Sequence, residues 1–325
     1  MQSFEWVDAT KLSDALSSLN DKAMIKAGGI DLLDRLKEGL DAPNRLVNIR
    51  NVRELKFVED AGGALRLGPL VTLAETAEHP LVKKRFPALA EACSLAATPQ
   101  IRNVATIGGN ILQRPRCWYF RQEQFHCLRK GGEQCFAQDG ENEYHAVFDN
   151  SICAIVHPSA IAVASVAYGA SVQLTSSKGK REVPLESIFL RPEQDVTREH
   201  SLAPGELLTE IRLPAMAAGA RSAYTKLMEK ESFDWPAAEV AAVLELGAGR
   251  VQKASIILGA AAPVPWRAKA AEEHLVGKSL TEETAAEAAR AAIEGATPLR
   301  DNHYKLRLLE VAVRRTLLQA GGSHA

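Results

Sequence analysis

The sequence predicts an α+β fold in three packed units, and three observations carry the prediction. Near the N-terminus, strand-like and helix-like segments alternate around a glycine pair. In the C-terminal third, apolar strand patterns come first and helical patterns follow. Between these regions lies a cysteine-bearing stretch with no periodicity. A chain of 325 residues exceeds one core of ordinary size. Strands followed by helices read as a separate α+β unit.

The elements follow in order. Residues 11–19 form a short amphipathic helix pattern, and Ala23–Lys26 a strand that runs into Gly28-Gly29. Asp31–Leu40 reads as a helix with Leu32, Leu33, Leu36 and Leu40 on one face. Arg45–Ile49 is the next strand, which completes a βαβ unit over about residues 1–56. A larger unit spans about residues 57–220. It has a strand at Leu65–Leu67, a helix at Leu73–His79, and a helix from Leu81 to Ala97 broken by Pro87. Residues 114–153 are expected to be an irregular insertion whose order depends on what its cysteines bind. Ala160–Leu174 returns to regular structure, and Pro214–Ala220 is the expected hinge. The last unit, residues 221–325, has strands at Tyr224–Lys226, Val240–Leu246 and Val251–Leu258. Helices follow at Leu280–Glu294 and Tyr304–Leu318.

Composition narrows the function. The chain is 46% hydrophobic and 24% charged, with 39 basic and 40 acidic residues and a net charge of −1. No basic excess points to nucleic acid. No apolar run is long enough to cross a bilayer, and the opening MQSFEWVDATKLSDAL has no hydrophobic signal core, so the cytoplasm is the expected location. No Ser-His-Asp order, G-x-S-x-G or H-E-x-x-H signature is present, and no residue of this chain is expected to be catalytic in that sense.

Two glycine turns are candidate phosphate cradles. Lys26–Leu33, KAGGIDLL, places two glycines between a strand and a helix. Glycine lets a backbone approach a ligand closely, and a helix N-terminus offers free N–H groups to a phosphate. Gly-Gly is also a common plain turn. Thr106–Asn110, TIGGN, supplies a second pair flanked by a hydroxyl and an amide. Two such turns can grip one pyrophosphate from both sides. Neither matches G-x-G-x-x-G, which disfavours a simple Rossmann domain.

Four of the five cysteines, Cys117, Cys127, Cys135 and Cys153, are spaced C-x9-C-x7-C-x17-C. Such a cluster suggests a metal site more readily than disulfides where no export signal is seen. Four thiolates suit an iron–sulfur cluster, and structural zinc is the alternative. Trp118, Tyr119 and Phe120 would shield such a site or simply pack the loop. His126 is a variant ligand. Cys93, on a helix-like segment, reads as a small buried hydrophobe. His157-Pro158 reads as a turn. Glu272-Glu273 and Glu282-Glu283 read as solvated helix faces.

The runs AGGIDLL and IRNVATIGGN resemble the flavin subunits of the xanthine dehydrogenase and carbon monoxide dehydrogenase family of molybdenum hydroxylases. Gly205–Pro214 (GELLTEIRLP), Tyr224–Ala242 (YTKLMEKESFDWPAAEVAA), Pro265–Glu273 (PWRAKAAEE) and Asn302–Leu317 resemble further landmarks of that family in the right order. The resemblance implies a vanillyl-alcohol-oxidase-type FAD domain of two α+β subdomains over residues 1–220. A C-terminal α+β domain of carbon-monoxide-dehydrogenase flavoprotein type would follow over 221–325. It implies FAD held by the run Lys26, Ala27, Gly28, Gly29, Ile30, Asp31, Leu32 and Leu33, with Thr106, Gly109 and Asn110 on the other side of the pyrophosphate. Leu207 and Leu208 would lie near the adenine or ring system, and Lys226 would reach the flavin. Read from its motif alone, Lys226 is equally a surface lysine.

Two departures bear on affinity. Ile30 stands where the family has threonine, which predicts weaker FAD binding rather than none; Ala160 stands where it usually has aspartate, which puts in doubt a contact to the cofactor's ribityl or ribose hydroxyls. The cysteine insertion resembles the [4Fe-4S]-bearing flavin subunits of periplasmic aldehyde oxidoreductase, which it matches more closely, and of 4-hydroxybenzoyl-CoA reductase. The resemblance therefore implies an electron-transfer oxidoreductase subunit with FAD and a [4Fe-4S] cluster. Its partners would be a large subunit carrying the molybdenum cofactor and a small [2Fe-2S] subunit, in a heterotrimer that oxidises an aldehyde or N-heterocycle. Co-export with a signal-bearing partner would place it in the periplasm. Two alternatives stand beside it: a reductive enzyme with electrons flowing the other way, and a flavin-free zinc scaffold.

Overall fold

The computed structural model describes residues 2–230 and 232–322. Glu231, inside the Tyr224–Ala242 run, lies outside the described residues. The first unit is a parallel sheet of β1 (Glu5–Asp8), β2 (Ala23–Lys26) and β3 (Arg45–Asn48), with β3 in the centre. Helix α1 (Leu12–Ser17) joins β1 to β2, and α2 (Ile30–Lys37) joins β2 to β3. The strand at β1 was not expected from the sequence, because EWVD is short and exposed. Only Leu32, Arg35 and Leu36 of α2 are buried, so its apolar stripe is narrower than four leucines suggested.

The second unit is a five-stranded antiparallel sheet. It uses β4 (Val58–Ala61), β5 (Ala64–Leu67), β6 (Ser171–Ser176), β7 (Gly179–Pro184) and β8 (Leu207–Leu213), in the order β4-β5-β8-β6-β7. Its helices begin where the sequence places starters. Thr72 and Glu75 form a reciprocal capping box at α3 (Leu73–Glu78). Prolines occupy the first turns of α4 (Pro80–Arg85) and α5 (Pro87–Leu95), so Pro87 separates two helices as expected. Two one-turn helices follow, α6 (Pro99–Arg102) and α7 (Ile107–Ile111). The insertion contains only α8 (Trp118–Arg121) and a 3-10 turn at Leu128–Lys130. Helix α9 (Ala160–Ala167) is buried almost throughout.

The third unit is an antiparallel sheet ordered β12-β11-β10-β9, from β9 (Ala220–Leu227), β10 (Ala238–Gly247), β11 (Arg250–Gly259) and β12 (Trp266–Arg267). Helices α10 (Lys269–Leu275), α11 (Glu282–Ala292) and α12 (Tyr304–Gly321) cover one face. The other face sends Tyr224, Ala241, Val243 and Ile257 into the core of the second unit. A strand covered on both faces needs a nearly continuous apolar run, and AEVAAVL is buried along its whole length. The acidic pair at Glu272 is a correction to the sequence reading. Its carboxylate is not solvated but accepts the Ile256 N–H at 2.8 Å and a guanidinium N–H of Arg267 at 3.0 Å. No helix among the described residues is long and apolar enough to cross a membrane.

Candidate functional site

A cleft of about 320 Å³ lies where the three units meet. Strand β2 delivers the chain to Gly28-Gly29, and Gly29 caps α2 in the left-handed conformation, φ 86°, with no side-chain oxygen to occupy the first N–H groups of the helix. Gly28 is required for a different reason. A Cβ there would lie 2.3 Å from the Val104 carbonyl oxygen, so the two glycine turns touch through backbone alone. The second turn is fixed by Thr106, whose hydroxyl accepts the Gly109 N–H at 3.2 Å. Asn110 is oriented by Ser159, whose hydroxyl donates to Asn110 Oδ1 at 2.7 Å.

Of the residues expected around the cofactor, Ala27, Gly28, Gly29, Ile30, Asp31, Leu32, Thr106, Gly109, Asn110, Leu207, Leu208 and Lys226 all line this cleft. Lys26 and Leu33 do not. The last residue of β2 turns its ammonium to Asn48 Oδ1 at 3.3 Å, over the Trp6 ring. Leu33 sits round the helix, with its side chain against Gly29 and half exposed to solvent. Lys226 is half-buried rather than a free surface lysine, and donates to the Leu95 carbonyl at 3.0 Å. Ala160, at the start of α9, also lines the cleft. The sequence reading missed Arg35, Arg116, Phe233, Trp235 and Glu239.

Arg35, on α2, and the arginines that flank Cys117 are joined through Asp31. Its carboxylate accepts from the Arg114 backbone N–H, and pairs with Arg116 at 2.8 Å, Arg121 at 2.7 Å and Arg35 at 3.3 Å. Burial pushes this carboxyl up, but the Arg116, Arg35 and Arg121 guanidiniums outweigh it and hold it below the usual range. The signal was present in RPRCWYFR, where three arginines surround Cys117 opposite the acidic residues of α2.

The second feature is a small cavity beneath the insertion. Cys117, Cys127, Cys135 and Cys153 all line it, with Tyr119, Phe120, Arg129 and His145. Among the described residues, no three Cys, His, Asp or Glu side chains are already gathered at metal-ligand geometry. The four sulfurs share one pocket without being closed on a common centre. Burial pushes the Cys117 thiol up to about 12. The Cys153 thiol is held low by a hydrogen bond from Cys135 and by the charge of Arg129. His126 does not line the cavity; His145 does, with Nε2 3.2 Å from Cys117 Sγ, and Trp118 lies edge-on to its ring. Arg129 is fully buried. Its Nη1 donates to Glu199 at 2.8 Å, while Nε and Nη2 have no hydrogen-bond partner among the described residues. Glu199 also holds Arg114 at 2.9 Å, so one carboxylate ties the cavity to the arginine cluster at the cleft. His157 is not an exposed turn residue but is wholly buried, edge-on to Phe189. Cys93 is buried in α5, away from the other four.

Residues 2–216 match the FAD binding domain in molybdopterin dehydrogenase, and residues 222–320 match the CO dehydrogenase flavoprotein C-terminal domain. The chain is 33% identical to the aldehyde oxidoreductase FAD-binding subunit PaoB of Escherichia coli (strain K12), over 90% of each chain. It is 31% identical to the carbon monoxide dehydrogenase medium chain of Hydrogenophaga pseudoflava, over 93% of this chain and 90% of that one. The solved structure of carbon monoxide dehydrogenase from Hydrogenophaga pseudoflava superposes with a TM-score of 0.78 at 31% identity, covering 100% of this chain and 99% of that one. Quinoline 2-oxidoreductase from Pseudomonas putida 86 superposes with a TM-score of 0.77 at 26% identity, covering 99% and 98%. The two-part α+β architecture expected from the sequence is the one observed.

Proposed function

The chain belongs to the FAD-binding subunits of the molybdopterin dehydrogenases, and from that premise we propose that it relays electrons through FAD and through a [4Fe-4S] cluster on its own four cysteines. It is an oxidoreductase subunit that binds FAD. The observation that carries the finer reading is the convergence of Cys117, Cys127, Cys135 and Cys153 on one cavity, tied through Glu199 and the arginines to the pyrophosphate-facing helix α2.

The residues present suit both groups. The free N–H groups at the start of α2 and the approach of the two glycine turns suit a diphosphate. Thr106, Gly109 and Asn110 would hold its other side. Leu207 and Leu208 offer apolar wall, and Lys226 offers a positive charge that favours the reduced flavin. FAD, when bound, exchanges electrons singly or in pairs. Four soft sulfur donors with no competing carboxylate in their cavity suit an iron–sulfur cluster. Arg129 would balance the negative charge of four thiolates, and Tyr119 and Phe120 would keep water out.

Substrate chemistry would then occur on a partner subunit that carries the molybdenum cofactor. A small [2Fe-2S] subunit would stand between that site and this chain in a heterotrimer. An aldehyde or an N-heterocycle is the substrate class, supported by the aldehyde oxidoreductase and quinoline oxidoreductase relatives. Residence is cytoplasmic, or periplasmic by co-export with a signal-bearing partner.

The test is the visible spectrum and metal content of the anaerobically purified complex. Flavin bands on a broad brown shoulder, with about four iron atoms beyond the partners' clusters, are the expected result. Flavin bands with zinc and no extra iron would keep the subunit role and remove the cluster. A protein that takes up no flavin even with added FAD would sink the whole reading.

A further inference from the structure

We propose that Glu239 binds a proton when the flavin is reduced, so that charge arriving in the cleft is matched by proton uptake on the C-terminal sheet. The proposal rests on the reading above, with the flavin ring at the Lys226 end of the cleft.

Glu239 is the one carboxylate in the buried run AEVAAVL of β10. It is 1% exposed and lines the cleft. Its register partners are Lys226 on β9 and Gly259 on β11. Opposed residues point to the same face, here the face turned toward the FAD domain. A glutamate directly opposite a lysine would ordinarily form an ion pair, yet none forms. Lys226 donates instead to the Leu95 carbonyl, and Glu239 Oε2 accepts a hydrogen bond from the hydroxyl of the buried Tyr224. The other oxygen, Oε1, is buried with no hydrogen-bond partner among the described residues. Space for it depends on Gly259, where a Cβ would lie 2.2 Å from Oε1. The site therefore combines a donor to one oxygen, a glycine that leaves room for the other, and, among the described residues, no cation in contact.

The groups facing this carboxyl define its charge. Tyr224 and Lys226 come from β9, and Lys305 acts by charge from α12. Cys93 on α5 lies near Tyr224, and Glu91 on α5 accepts the Tyr224 N–H. Asp234 and Arg102 act on Lys226. Burial pushes the Glu239 carboxyl up to about 7, against the Tyr224 hydrogen bond and the charges of Lys226 and Lys305. The carboxyl thus divides between its two forms near neutral pH. Added negative charge within a few ångströms favours the protonated form.

The step balances. Two electrons enter the flavin from the one-electron iron–sulfur carriers, and the flavin takes its own proton from water. A second proton from water forms an O–H bond on the Glu239 carboxylate. Reoxidation releases both protons. A carboxyl that merely braced β9 against β10 would leave the proton count unchanged.

The experiment is a spectroelectrochemical titration of the flavin in the full complex, from about pH 6 to about pH 9. It compares the wild type with Glu239→Gln, Tyr224→Phe and Lys226→Gln. Up to one extra proton per two electrons steepens the wild-type dependence by up to about 30 mV per pH unit, the equivalent of a tenfold change for a two-electron couple. Glu239→Gln is expected to lose that excess. The same slope in a Glu239→Gln complex that retains FAD overturns the proposal. Should Glu239→Gln fail to fold, Tyr224→Phe decides. Loss of its hydrogen bond to the carboxylate moves the steep window to higher pH, and an unmoved window is equally fatal. A Lys226→Gln complex whose flavin potential matches the wild type would show that the ring lies elsewhere, which is a failure of the underlying reading.

Discussion

The cleft and the cysteine cavity are built by opposite means. The glycine end of the cleft is made of backbone: the first glycine turn against the segment that leads into the second, and a helix N-terminus. The cavity is made of side chains on a segment with little regular structure, held by Asp31, Glu199 and five arginines. A backbone site is set by the fold and tolerates side-chain change outside its glycines. A side-chain site is as good as its charge pairs, and it moves when they are broken.

The largest effect should come from Gly28→Val. A side chain there meets the Val104 carbonyl, which belongs to backbone and cannot rotate away. Forcing the turns apart costs about 3 kcal/mol, enough to weaken FAD binding more than 100-fold. Flavin fluorescence during reconstitution measures this directly. Retention of FAD at wild-type affinity would show that the turns separate freely, and the contrast drawn above would fail.

Arg129→Met tests the other region. It removes one of two cations from the buried Glu199, which keeps Arg114. Breaking a fully buried pair costs about 3–5 kcal/mol; with one partner kept, about 2 kcal/mol is expected. The variant should lose iron from the insertion while retaining FAD, and Glu199→Gln in the same chain should recover part of the stability. Denaturant midpoints alongside iron analysis would check both. Equal loss of flavin and iron would mean that the two regions are one cooperative unit.

This division also explains what was legible in the sequence. The glycine turns were readable because backbone function leaves a local signature: AGGIDLL and TIGGN are contiguous, and almost every residue named from them lines the cleft. Lys26 and Leu33 do not line the cleft; the same contiguity ignores which way each side chain leaves the strand or helix. The cavity's cysteines were readable by type and spacing. Their supports were not: Arg129 and His145 lie within the insertion but its lack of periodicity hides which way they turn, and Glu199 lies well beyond it and meets Arg129 only through the tertiary fold. Glu239 was passed over for a related reason. Within AEVAAVL it looks like one polar residue in a strand, and only the covering of both sheet faces makes it buried.

Buried His157, within the charge field of Glu199 and Arg129, gives a pH test of intermediate size. Burial lowers His157 to about 3. The unfolded chain takes up a proton near the ordinary histidine value of about 6.5 while the folded chain does not. The unfolded state therefore binds more protons in that window, and stability falls as pH drops from about 6.5 toward 3. His157→Phe, which keeps an aromatic ring against Phe189, should lessen the loss by about 1.4 kcal/mol per pH unit. Urea midpoints at several pH values provide the measurement. An unchanged slope would mean that His157 titrates normally.

The smallest effect separates backbone from side chain within the cleft itself. Ile30 opens α2, lines the cleft and is 40% exposed. Ile30→Thr places a hydroxyl at the start of the helix, beside the free N–H groups that would face the diphosphate in the proposed site. One added hydrogen bond contributes about 1 kcal/mol, so FAD should bind about fivefold more tightly, with no change in iron content. A gain of tenfold or more would mean that the side-chain hydroxyl carries a major share of the grip and that Ile30 is a real weakness. No gain would mean that backbone N–H groups already saturate the phosphate oxygens at this turn.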